Sequence, residues 1–170
     1  MSSQPRADVR VQRGTDLNRR LLNLGLGELA ASLVFGVTAV TSIQPRLTGH
    51  EARALWAALG VLLAILLQAG AYWLLARSWL PAGRMPARIA AVYRALRVVD
   101  IGFLVGSVGA ISRWYPERPA VAVLVTGVWL FAVVEYVNYF VVRLAYPWSR
   151  WAAQVGQWRT PQLVKDLRRA

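Results

Sequence analysis

Cysteine is absent from the 170 residues, which excludes disulfides, thiolate metal sites and thiol nucleophiles. Histidine occurs once, as His50. No apolar stretch therefore contains an imidazole to activate Ser32, Ser107 or Ser112, and hydrolytic chemistry has no support. Lysine also occurs once, as Lys165, against nineteen arginines; that excess reads as the mark of a GC-rich genome and points to a bacterium. Charge as a whole is scarce at 16%, and only eight residues are acidic. Apolar side chains fill the remaining space: 56% of the chain is hydrophobic, more than a soluble domain of this length carries.

The apolar residues gather in four stretches, Leu21 to Ile43, Leu55 to Ala76, Ile89 to Ile111 and Ala120 to Val142. At 1.5 Å per helical residue each can cross a hydrocarbon core of ~30 Å. Arg94 and Arg97 shorten the clean run of the third, but long arginine side chains near a helix end reach back to the interface. The pattern predicts an all-α, integral membrane four-helix bundle over residues 21–146, preceded by a basic tail, 1–20, and followed by a polar tail, 147–170. A polar start this long, ahead of such a long apolar run, argues against a cleaved signal peptide. Pro81, Gly83 and Pro86 mark a true turn between the second and third spans. The short stretch from Arg113 to Pro119 makes the third and fourth an antiparallel hairpin. In the first loop, Gln44 to Ala54, His50 reads as a loop residue rather than a ligand.

Basic residues are unevenly placed. Five precede the first span, five lie between the second and third, and six run from Arg143 onward, while the other two loops hold only Arg46 and Arg53, then Arg113 and Arg118. This positive-inside bias places both termini in the cytoplasm, in the plasma (inner) membrane of a bacterium. The net charge of +12 is then explained by topology and by anionic lipid headgroups, without nucleic acid. Trp148, Trp151, Val155 and Trp158 recur on one helical face, which predicts an amphipathic helix lying in the cytoplasmic interface, with lipid preferred to a docked protein. Thr160 and Pro161 read as an N-cap and first helical residue of a short basic helix ending at Ala170.

Three acids interrupt the spans, and an acid in hydrocarbon needs a partner or a purpose. Counted from the outer boundary, Glu28, Gln68, Asp100 and Glu135 all lie roughly 16 to 23 Å deep, one polar group per span in a single layer. Their helical neighbours complete the candidate site: Tyr72 beside Gln68, Arg97 beside Asp100, and Asn138, Tyr139 and Arg143 beside Glu135. Gly25, Ser32 and Gly36 allow another helix to approach the Glu28 face. Gly102, Gly106 and Gly109 suggest that the third span is central, packed within the bundle rather than forming a dimer seam.

A glutamate in the first of four spans is similar to the coupling acid of small multidrug resistance transporters. The likeness covers Glu28 and the span count; the additional acids, the tryptophan-bearing tail and the charge bias depart from that family.

Two readings of the layer follow. In the preferred one, a structural or partner-binding membrane component, the acids pair with Arg97, Arg143 and Arg94 in a dry network that fixes helix register. In the alternative, unpaired carboxylates line a cytoplasmic cavity and bind a cation or relay protons. The oxygen-only set suits a hard ion better than zinc, and without Glu-x-x-His a redox metal is not expected. No cofactor, resident metal or enzymatic activity is expected; the partners are the bilayer and either another membrane protein or a second copy.

Overall fold

A computed structural model describes the backbone of residues 4–80, 84–141 and 161–170, with side chains from residue 15 onward. Among these residues there are five α-helices and no strands: α1 (Gln4–Thr38), α2 (Gly49–Trp79), α3 (Ala87–Arg113), α4 (Pro119–Phe140) and α5 (Gln162–Arg169). The first four are long and apolar enough to cross a membrane. The helical part of the N-terminal tail is continuous with the first span, since α1 starts at Gln4. After Thr38 the chain passes through a π-helical turn, Ala39–Ile43, and a 3-10 turn, Gln44–Arg46. Pro45 has no N–H and its ring crowds the carbonyl four residues back, so the α-helical pattern cannot continue through it.

The centre of the bundle is α2, which packs against α1, α3 and α4, whereas α3 and α4 touch one another less. Leu55, Leu62, Ile65, Leu66 and Tyr72 are fully enclosed along its length. This corrects the expectation that the third span is central. The outer face of α3 is bare: a Cβ added to Gly102, Gly106 or Gly109 would meet nothing within 4 Å, so these glycines do not pack within the bundle. Glycine is needed instead where α1 crosses α2. A Cβ on Gly25 would sit 2.8 Å from the Leu74 side chain and 3.1 Å from the Gly70 carbonyl oxygen, and one on Gly70 would sit 2.9 Å from Leu29. Ser32 is buried on the same side of α1 and donates to the Glu28 carbonyl at 2.9 Å, while a Cβ at Gly36 would meet nothing.

Apolar side chains face outward on every side, with Leu33, Val98, Val105 and Val123 each at least 66% exposed. Such a surface is costly in water and ordinary in hydrocarbon. At the far end of the bundle from α5, a polar clamp joins the loops. Thr48 caps α2 and exchanges hydrogen bonds with Glu51, whose carboxylate also receives the Arg118 guanidinium, Nε donating at 2.7 Å. Arg118 donates again to the Arg46 carbonyl at 2.9 Å. The Glu51 bond holds the Arg118 guanidinium above its ordinary range. This is the only ion pair among the described residues, and its sequence signal is the Thr48-x-x-Glu51 capping box.

Candidate functional site

The four polar residues of the expected layer meet in two separate halves. On one side, between α2 and α3, Gln68 Nε2 donates to Asp100 Oδ1 at 2.9 Å. Tyr93 Oη, from the next turns of α3, donates to the Gln68 carbonyl oxygen at 3.0 Å. Asp100 is completely enclosed, and Leu104 and Ser107 on its face are buried with it. Neither arginine expected to neutralise it does so: Arg94 and Arg97 are exposed, and Arg94 Nη2 donates at 2.9 Å to the Leu167 carbonyl. The void beside Gln68 and Tyr93 is about 10 Å³, the lower limit for one water. This half is sealed.

The sealed pair leaves two acceptors without partners among the described residues, Asp100 Oδ2 and Gln68 Oε1. A carboxyl and a primary amide joined by one N–H···O bond lack a second donor while the carboxyl is ionised. One proton on Asp100 Oδ2 would supply it, closing an acid–amide ring and removing a buried charge that no cation offsets.

On the other side of α2 the arrangement is different. The Tyr139 hydroxyl of α4 donates to Glu28 of α1. Glu135, three residues before Asn138 on the same helix, lies within electrostatic range of Glu28. Both acids are half-buried. Glu28, Trp73, Asn138, Tyr139 and the segment from Pro161 to Leu163 line a pocket of about 120 Å³, room for a few waters or a hydrated ion. None of the described residues lining it is an arginine. Arg143, expected to pair with Glu135, lies outside the described residues, as do Trp148, Trp151, Val155 and Trp158.

Tyr72 belongs to neither half. Its hydroxyl donates at 2.7 Å to Asp166 Oδ2 in α5, which also accepts from Trp79 Nε1 at 3.2 Å, while Gln162 Nε2 donates to Oδ1 at 2.8 Å. Leu163, Val164 and Leu167 are buried beside it, so α5 docks against the bundle end through an apolar face carrying one satisfied acid. The helix begins one residue later than expected: Pro161 is its N-cap rather than its first helical residue. Asp166 escaped the sequence reading, although an acid three residues after Leu163 shares that residue's helical face, which is a signal for a buried partner.

What the geometry offers chemically is two acid sites of different character. The Asp100 site is closed and holds neutral donors; the Glu28 site borders a pocket and brings two carboxyls near one another beside a phenol and an amide. Comparison with known proteins adds no precedent: no family model matches the chain, and no curated protein and no solved structure matches it.

Proposed function

We propose that this chain is a small multi-pass membrane protein, crossing a bacterial plasma membrane four times with both termini cytoplasmic, in which the Glu28–Glu135 half handles a proton or small cation. The observation that carries this reading is the pocket on Glu28. Glu28 is the one carboxyl among the described residues that line it, the others being neutral, and Glu135 lies within electrostatic range of Glu28; in a low-dielectric setting such charge calls for a bound cation or a proton. The side-chain oxygens that do line it, from Glu28, Asn138, Tyr139 and Gln162, suit a hard ion.

A structural role is favoured for the other half by its own observation. Asp100 is enclosed and bonded across two helices to the partly buried Gln68, and the void beside Gln68, about 10 Å³, has room for no more than a single water. They fix the register of α3 on α2. The preferred and alternative readings of the sequence thus apply to different halves of the layer. No residue set in either half supports an enzymatic step, and the reading contains none.

Reconstituted vesicles with an entrapped pH-sensitive dye test the proposal. A pulse of sodium, potassium, magnesium or manganese chloride, or an imposed pH gradient, should give a faster internal pH change than in protein-free vesicles. Glu28→Gln and Glu135→Gln should each abolish it, and Asp100→Asn should retain it. A response unchanged by Glu28→Gln and Glu135→Gln, or no response to any of these drives, contradicts the reading.

A further inference from the structure

At the α5 end of the bundle a second, larger space of about 580 Å³ opens between the start of α3, the end of α4 and α5. Arg94, Arg97 and Arg168 line it, with Val98, Phe140 and Leu167 as apolar wall. No carboxylate is among the described residues lining it. The acid of α5 is directed elsewhere, since Asp166 is engaged by Tyr72, Trp79 and Gln162. Arg94 is fixed by its bond to the Leu167 carbonyl, so one of the three guanidiniums is held at the rim. Three cations thus line one mouth, with no carboxylate among the described residues there to meet them.

The wall of this space continues onto the bare face of α3. Arg94, Val98, Gly102, Val105 and Gly109 follow one another at helical spacing along one side of the helix. Val98 and Val105 are 69% and 67% exposed, and the glycines have open space beyond them. A cationic mouth leading into a shallow apolar track fits an amphiphile with an anionic head. Basic pockets between membrane helices on the cytoplasmic side recognise phosphate headgroups in this way, and guanidinium matches phosphate oxygens in pairs.

We propose that this pocket binds the phosphate of an anionic phospholipid, with Arg94, Arg97 and Arg168 on the headgroup and an acyl chain along the Val98–Gly109 side of α3. The proposal requires that the bundle cross a membrane and is independent of the proton or cation site at Glu28. It also commits the glycine face of α3 to lipid rather than to a second copy of the chain.

Native mass spectrometry of the full chain in detergent, titrated with phosphatidylglycerol or phosphatidylcholine, tests it. Phosphatidylglycerol should be retained one per chain and phosphatidylcholine should not. Arg97→Gln with Arg168→Gln, which leaves the Arg94 anchor of α5 intact, should lower phosphatidylglycerol retention roughly tenfold or more. Arg53→Gln with Arg113→Gln removes the same charge at the opposite end and should leave retention unchanged. Equal retention of the two lipids, equal loss in both double variants, or displacement of the lipid by millimolar inorganic phosphate overturns the proposal, the last by marking a free-phosphate site. A chain whose mass is that of a dimer, with no lipid retained, overturns it as well.

Discussion

Asp100 shows what a single buried acid does when its partner is an amide. Asparagine at position 100 would present an N–H where the carboxyl presents Oδ2, closing both bonds with Gln68 without a proton. Asp100→Asn is therefore expected to leave unfolding stability in detergent unchanged or slightly raised, whereas Asp100→Ala strands Gln68 and costs about 1–3 kcal/mol. A midpoint that falls as far for asparagine as for alanine would show that Asp100 works as a charge. Tyr72→Phe removes the donor 2.7 Å from Asp166 and is expected to cost about 1 kcal/mol or somewhat more, because Trp79 and Gln162 continue to serve the carboxylate. The depth of Gln68 and Asp100 was legible in the sequence, because helical rise is fixed and converts residue counts into height. Which group each meets was not. That depends on the rotation of every helix about its axis, and so Asp100 meets Gln68 while Arg97, one turn away, stays at the exposed end.

Glycine usage separates helix contacts from helix surfaces. At the crossing of α1 and α2 a methyl group on Gly70 would overlap Leu29 and press on the Gly25 carbonyl. Gly70→Ala is expected to cost about 1–3 kcal/mol by forcing the helices apart. Gly106→Ala meets open space and should change stability by less than about 0.5 kcal/mol, both read from thermal or denaturant midpoints in detergent. The sequence made both sites look alike, since a small residue at helical spacing is the same signal whether the helix beside it is present or absent. For α5 the sequence showed a short basic helix but neither its apolar face nor its docking partner, because Tyr72 lies 94 residues away from Asp166 in the chain. Asp166→Ala should release α5, seen as faster hydrogen exchange of the Leu163 to Leu167 amides with exchange in α2 unaltered. Unchanged protection there would mean that the apolar face alone holds the helix.

For the whole molecule, the four long apolar helices followed directly from the placement of apolar residues, while the proposed orientation rests on arginine placement alone and is open to direct measurement. The absence of cysteine makes single-cysteine mapping straightforward: His50→Cys should react with an impermeant thiol reagent added outside intact cells, and Arg84→Cys only after the membrane is opened. The reverse pattern would invert the bundle and place the arginine-lined pocket outside. Across the polar layer where these helices meet, α2 separates the enclosed Asp100 from the Glu28 pocket, where proton or cation exchange is proposed. Infrared difference spectroscopy of the reconstituted protein, switched between acidic and alkaline buffer, reads carboxyl protonation directly. A reversible carboxyl band is expected that Glu28→Gln removes and Asp100→Asn leaves in place; a band lost in Asp100→Asn and retained in Glu28→Gln would place the exchanging acid in the other half.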